Sequence, residues 1–232
     1  MNICVIPARG GSKRIPHKNI KKFNGKPIIA YSIDAAIKSN CFDKVIVSTD
    51  DKEIAEVAKN YGAIVPFIRP YKLSDDFVGT LPVVKHAVEF LNIDHSVDFV
   101  LCLYATAPFI QSDVIIKAYK QLIASKAEFC FSVTSFPFPI QRAMKITNKK
   151  RLSMFQPESF NLRSQDLEEA YQDAGQFYWG MANSFLNEAM LFSEISRPYI
   201  LPRYLVQDID TSEDWTRAEV MYEVLNQKKL IK

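Results

Sequence analysis

Apolar positions in this 232-residue chain come in short runs separated by stretches of helical period, and each run predicts an element. Ile3 to Ile6 predicts a buried strand that breaks at Pro7. From Pro27 onward Ile28, Ile29, Ile33, Ala36 and Ile37 recur at helical spacing, which predicts a helix ending near Asn40. Lys44 to Ser48 predicts a second strand, and Thr49-Asp50-Asp51 a cap for a helix from Lys52 to Tyr61 that Gly62 stops. Ala63 to Ile68 predicts a third strand, ended by Arg69-Pro70. Thr80 and Pro82 open a helix carrying Val83, Val84, Ala87, Val88 and Leu91. Asp98 to Leu103 is the most apolar strand and belongs at the centre of a parallel sheet. A helix from Asp113 to about Ser125 and a strand from Glu128 to Thr134 complete this half.

Regular alternation of this kind predicts an α/β fold with a doubly wound, mainly parallel sheet. Ligands of such sheets lie beyond the carboxyl ends of the strands, so the loops holding Arg9, Arg69 and Thr106 are expected to converge on one crevice. From Phe136 the pattern changes. Proline-punctuated β-like pieces (Arg142 to Ile146, Arg151 to Phe155) predict a hairpin excursion over about 136–170. An apolar-edged arm is expected to pack on a second subunit, giving a homodimer. Asn183 to Phe192 is predicted helical, Tyr199 to Pro202 extended, and Glu213 to Leu225 a last helix capped by Thr211 or Ser212. With no repeat or linker, residues 1–232 are expected to form a single domain with an inserted arm.

Composition changes this picture little. Apolar residues make up 48% and charged residues 24%, which excludes a disordered chain. The four cysteines (Cys4, Cys41, Cys102, Cys130) are far apart with no metal spacing, and three sit in strand-like runs, so buried thiols and a cytoplasmic location are expected. Neither a secretory signal nor a membrane span is expected.

Charge adds more, because it is local. No Asp or Glu occurs before Asp34, while Arg9, Lys13, Arg14, Lys18, Lys21, Lys22 and Lys26 are cationic. Gly10 and Gly11 let backbone N–H groups approach a ligand, and Arg9, Lys13 and Lys18 could neutralise a polyphosphate; the alternative is a solvated basic loop. Neither G-x-x-x-x-G-K-[ST] nor G-x-G-x-x-G is present. A nucleic-acid role is disfavoured, since Phe23 is the one aromatic interleaved with these cations. Near the other end, Asp208 and Asp210 flank Ile209, and an extended backbone sets both carboxylates on one face. They could share a hard cation such as Mg²⁺, or one could cap the last helix while the other is solvated. A phosphate loop joined to such a pair supports displacement at phosphorus. His17, His86 and His95 give no triad. In QDAGQFYWG, Asp173, Gln176 and Tyr178 alternate with the core-type Phe177 and Trp179 and could line a polyhydroxylated ligand, with Arg163 as a candidate carboxylate clamp.

The run I-P-A-R-G-G-S-K-R-I-P-x-K-N from Ile6 to Asn19 closely resembles the signature of the cytidylyltransferases that activate nonulosonic acids, the CMP-sialic acid synthetase group. Arg69-Pro70 with Leu73-Ser74-Asp75-Asp76 and Gly79-Thr80 resembles its second nucleotide segment, and Asp208-Ile209-Asp210-Thr211 with Asp214-Trp215 its metal motif. The resemblance implies a nucleotide-diphospho-sugar transferase type of fold that dimerises through a projecting β-hairpin. It implies transfer of CMP from CTP to a nine-carbon 2-keto acid sugar, with Mg²⁺ and release of pyrophosphate. Ala8, Arg9, Gly10, Ser12, Lys18, Asn19, Arg69, Thr80 and Thr106 would then bind nucleotide, Tyr104, Arg163, Asp173, Gln176 and Tyr178 the sugar, and Asp208 and Asp210 the metal. The chain departs from the sialic acid pattern on the sugar side. Tyr104-Ala105-Thr106-Ala107-Pro108 stands for Gln-Pro-Thr-Ser-Pro, and Ala174-Gly175-Gln176-Phe177-Tyr178 for Asn-Gly-Ala-Ile-Tyr. LSDDFVGT and QDAGQFYWG look like the pseudaminic acid subgroup. Sialic, legionaminic or Kdo-type acids are the alternative substrates, and a non-catalytic nucleotide-binding module is the alternative of another class.

Overall fold

In the computed structural model, which describes residues 1–91 and 97–231, strand β1 (Asn2–Pro7) buries its four central residues. Two short pieces, β2 (Lys22–Phe23) and β3 (Lys26–Pro27), pair antiparallel and lead into helix α1 (Ile28–Ser39). Strand β4 (Lys44–Ser48) and helix α2 (Lys52–Asn60) follow, and Asp51 caps α2 by accepting from the N–H groups of Glu53 and Ile54. Next come α3 (Thr80–Leu91), β5 (Phe99–Leu103), α4 (Ser112–Ser125) and β6 (Phe129–Ser135). The hairpin β7 (Met144–Ile146) and β8 (Leu152–Met154) precedes β9 (Tyr171–Met181), α5 (Ala182–Leu186), β10 (Ser196–Ile200) and α6 (Ser212–Gln227). His95 lies outside the described residues.

The six-stranded sheet has the order β10-β6-β9-β5-β1-β4. β1 runs parallel to β4 and β5, and β10 parallel to β6, while β9 is antiparallel to both of its neighbours. Strand alternation sends Cys4, Ile6, Leu101, Leu103 and Trp179 to one face, where they meet Ile29 and Ile33 of α1, Ile54 of α2 and Ile115 and Leu122 of α4. Ile3, Val5, Val100, Phe129 and Tyr178 face the other way, onto Val84 and Val88 of α3 and Phe185 of α5. Helices on both faces make this the doubly wound, mainly parallel sheet that the alternation predicts.

Two expectations need correction, and one strand has no counterpart among them. Ala63 to Ile68 is not a ladder strand: only Ile64 and Ile68 form isolated bridges, to Ile46 and Thr49. Pro66 between them has no N–H to donate. The helix expected over Asn183 to Phe192 stops at Leu186, and Glu188 at φ 49° turns the chain out of a right-handed helix. Most consequential, QDAGQFYWG is the middle of β9, a central antiparallel strand that its sequence does not announce.

The reason is a large bulge. Where β6 advances two residues from Phe131 to Val133, β9 spans five, from Tyr178 to Asp173, which destroys the period of two. Gly175 sits there at φ 60°. The buried Ser132 hydroxyl stands in for the missing ladder partner, accepting from the N–H of Phe177 at 3.1 Å and of Gln176 at 3.4 Å. Ser132→Ala strips those N–H groups of an acceptor in a dry site and is expected to lower stability by about 1–3 kcal/mol, read from the midpoint of urea unfolding.

A third apolar cluster lies outside the sheet. It joins Ile15, Phe23 and Ile28 near the start of the chain to Ile209, Trp215 and Ala218 near its end, with Tyr31 and Phe109 between. Phe23 packs edge-on to Trp215 at 5.5 Å between ring centroids, and Lys21 lies 4.3 Å over the Trp215 ring.

Candidate active site

The basic loop leaves β1 at Pro7 and is pinned from behind. Gly10 donates its N–H to Asp50 at 3.0 Å, and a Cβ on Gly10 would lie 2.6 Å from an Asp51 carboxylate oxygen, so the glycine is required for close packing. Asp50 also meets the buried Arg69 guanidinium at 3.6 Å, and Arg69 Nε donates to Ser74 at 3.2 Å. Asn19, buried as well, donates from Nδ2 to the Arg9 carbonyl at 3.0 Å. These contacts fix the loop so that its long cations point across a cleft.

Opposite them, the third cluster holds the acidic segment by burying Ile209. Lys18 Nζ donates to the Ile209 carbonyl at 2.6 Å and lies 3.4 Å from Asp210, which Arg14 approaches at 2.9 Å. The next turn begins α6, where Thr211 and Asp214 form a reciprocal capping box. Asp214 is held below the usual carboxylate range by the Thr211 hydroxyl and N–H, so it serves the helix end. Asp208 is exposed at its outer edge, yet partial desolvation and then the Asp210 charge push its carboxyl upward. A carboxylate beside a second one, as Asp208 is, also suits a divalent cation. Among the described residues no three His, Cys, Asp or Glu side chains converge on a metal position. Asp208 and Asp210 could supply two hard oxygen donors, with water and phosphate completing the shell, as Mg²⁺ is commonly bound.

The cleft encloses about 540 Å³ and is lined by Arg9, Ser12, Lys13, Arg14, Lys18, Asn19, Asp76, Thr80, Tyr104, Thr106 and Asp210, with Pro7 and Ala105. Of the residues singled out from sequence, Arg9, Ser12, Lys18, Asn19, Thr80, Tyr104, Thr106 and Asp210 are thus gathered on one surface. Ala8, Gly10, Arg69 and Asp208 are not on it: Ala8 is buried in the sheet core, Gly10 and Arg69 brace the loop from behind, and Asp208 is exposed outside the lining.

A second cavity of about 370 Å³ adjoins it and shares Thr80 and Tyr104. Asp173 and Tyr178 line it, together with Gly79 and an apolar wall of Leu81, Phe185, Leu191 and Phe192. Two residues expected here belong elsewhere. Gln176 is buried and donates from Nε2 to the Leu205 carbonyl at 2.5 Å, anchoring the segment that leads to Asp208. Arg163 sits on the excursion, exposed and paired with Asp166 at 2.6 Å.

The sequence reading missed Asp76, which ion-pairs with Arg9 at 2.6 Å and with Lys13 at 2.5 Å. Hydrogen bonds from Lys13 and then Arg9 hold it below the ordinary carboxylate range. Its signal was the second Asp of Leu73-Ser74-Asp75-Asp76, six residues beyond Pro70. The helical spacing over Asn183 to Phe192 hides the apolar wall, because Leu191 and Phe192 lie beyond the end of α5.

A family model described as Cytidylyltransferase matches residues 3–224. The chain is 47% identical over 224 residues to a pseudaminic acid cytidylyltransferase of Campylobacter jejuni, covering 96% of this chain and 97% of the relative. It is 34% identical to a CMP-N,N'-diacetyllegionaminic acid synthase of Legionella pneumophila, covering 99% of each. Among solved structures, a CMP:2-keto-3-deoxy-manno-octonic acid synthetase complexed with CTP superimposes with a TM-score of 0.70 at 15% identity, over 96% of this chain and 98% of that one. This last likeness is one of fold.

Asp76 occupies the two cations that a polyphosphate would use. Asp76→Asn is therefore expected to tighten binding of a nucleoside triphosphate a few-fold by titration calorimetry, the modest change proper to exposed ion pairs. Weaker binding by that variant would make Asp76 a part of the ligand surface instead.

Proposed function

From the premise that this chain belongs to the cytidylyltransferase family, we propose that it transfers CMP from CTP to the 2-hydroxyl of a nonulosonic acid, pseudaminic acid in the first place, and releases pyrophosphate. One observation carries the reading: four cations from the first turn of the fold and Asp210 from its last face one another across a single cleft.

Arg9, Lys13, Arg14 and Lys18 hold the triphosphate, exchanging carboxylate partners for phosphate oxygens. Arg fits two phosphate oxygens as a fork, and Lys acts as a point charge. Asn19, Thr80 and Thr106, which line the same cleft, would contact the ribose and base. Asp208 and Asp210 would hold Mg²⁺, which when bound neutralises charge on the triphosphate and on the departing pyrophosphate. The sugar occupies the second cavity, where hydroxyl and carboxylate groups are set against an apolar wall suited to acetamido methyl groups. Legionaminic acid is the second reading, favoured by the 34% identical synthase.

The excursion exposes Phe138, Ile146, Leu152 and Phe160, an apolar surface that pairing with a second copy would cover. The protein is thus proposed to act as a homodimer. All four cysteines are free, which suits a reducing compartment, and among the described residues no helix is long and apolar enough to cross a membrane.

Pyrophosphate release from CTP and Mg²⁺ is expected with pseudaminic acid in preference to legionaminic, sialic and Kdo-type acids; equal or better turnover of sialic acid would reject the assignment. Asp210→Asn and Lys18→Ala are each expected to reduce kcat/KM by about 100-fold, the scale on which single charge-stabilising groups act. A module that only binds nucleotide would show CTP affinity without pyrophosphate from any sugar. By light scattering the chain should weigh twice its 26.5 kDa, and Ile146→Lys with Leu152→Lys should shift it to monomer.

A further inference from the structure

The bond made in the proposed reaction joins what the first cavity holds to what the second holds, so the attacking hydroxyl must lie where the two meet. Thr80 and Tyr104 are the residues that line both. Three carboxylates line the two cavities. Asp76 is held by Arg9 and Lys13, and Asp210 by Arg14 and Lys18. Asp173 has no cation against it among the described residues, and its side chain connects to the junction by hydroxyl groups alone.

The direction of that connection follows from counting hydrogens. A phenol carries one. Tyr178 donates its hydrogen to Asp173, so at the 3.4 Å contact between the two phenols Tyr104 donates and Tyr178 accepts. The Tyr104 oxygen is then an acceptor, and Thr80 Oγ1 at 3.1 Å is the donor to it. Every hydrogen in the chain points toward Asp173. Tyr178 is buried, while Asp173 is exposed, accepts from the Gly175 N–H at 2.9 Å, and can pass a proton to water.

We propose that Tyr104, Tyr178 and Asp173 form a one-way proton relay that serves as the general base for the attacking sugar hydroxyl. The inference rests on the cytidylyl-transfer reading above. As the sugar oxygen forms its bond to the α-phosphorus of CTP, its hydrogen passes to Tyr104. Tyr104 releases its own hydrogen to Tyr178, and Tyr178 releases its hydrogen to Asp173. The bond from the α-phosphorus to the bridging oxygen breaks, and its electron pair leaves with pyrophosphate. Neither phenol carries a charge at the end of the step, as a buried phenol requires. Tyr104 is the catalytic residue, because it touches the reacting hydroxyl. Tyr178 and Asp173 act through it as positioning residues.

The test compares kcat and KM for pyrophosphate release in the unaltered chain, Tyr178→Phe, Asp173→Asn and the double variant. Each single change is expected to lower kcat by about 100-fold, within the range of general-base contributions, with KM for CTP and sugar moved less than about threefold. The double variant should be no slower than the slower single one, because one chain can be cut only once. Solvent deuterium should slow the unaltered chain and affect the slow variants differently. Near-normal kcat in Asp173→Asn, a loss confined to KM for the sugar, or multiplying losses in the double variant would each overturn the relay. Asp173 is exposed, so that variant decides the matter should Tyr178→Phe fail to fold. If the unaltered chain releases no pyrophosphate with any nonulosonic acid, the cytidylyl-transfer reading falls and the relay with it; turnover by the unaltered chain with unimpaired variants removes the relay alone.

Discussion

Everything at the cleft depends on burying Ile15 and Phe23 against Ile209 and Trp215. Lys18 and Asp210 are separated by 192 positions, and their meeting closes nearly the whole chain into one loop. The ion pairs could not hold that loop. Exposed pairs contribute about 0–1 kcal/mol, whereas full burial of one large apolar side chain contributes about 1.5–3 kcal/mol. The apolar cluster supplies the stability, and the charges make use of the geometry it imposes. The same logic explains why the basic loop is rigid. Its glycine packs on Asp51, its asparagine is buried on its own backbone, and Arg69 braces it through Asp50.

Within the cleft four cations face two carboxylates. Arg9 and Lys13 share Asp76, while Arg14 and Lys18 share Asp210. A cationic turn that faced only itself would repel and splay. The acidic partners keep the side chains converged and therefore pre-set for an anion of higher charge. The two acids are not equivalent in place. Asp210 is tied to the rigid start of α6, whereas Asp76 lies in the irregular segment between Ser74 and Gly79.

The sugar-side cavity owes its shape to an irregularity. Three extra residues in β9 between Asp173 and Tyr178 carry Asp173 out of the ladder and let the Tyr178 hydroxyl reach it. A regular strand would send these two side chains to opposite faces. Ser132 makes the bulge affordable by meeting the N–H groups left without ladder partners. Gln176, inside the bulge, ties it to Leu205 and so to the acidic segment, which links the two cavities mechanically.

The sequence alone determined most of the frame. Helices α1, α2, α3, α4 and α6 and strands β1, β4, β5 and β6 are legible because each repeats apolar residues at its own period and is closed by a cap, proline or glycine. Part of the cleft's charge was legible too: of the seven cations that precede Asp34, Arg9, Lys13, Arg14 and Lys18 line it, as does Asp210 of the Asp208-Asp210 pair. What only the tertiary structure decided is whatever lacks a local signature. The bulge removes the period from β9, Pro66 removes the donors from the expected third strand, and Arg163 and Gln176 find partners away from the cavities. Asp76 as a counter-ion and the Thr80-Tyr104-Tyr178-Asp173 order exist only after β5, β9 and α3 are packed together. Periodicity and capping act between near neighbours and can be read from one stretch of chain; cavities and charge pairs are made between distant stretches, where only packing chooses the partners.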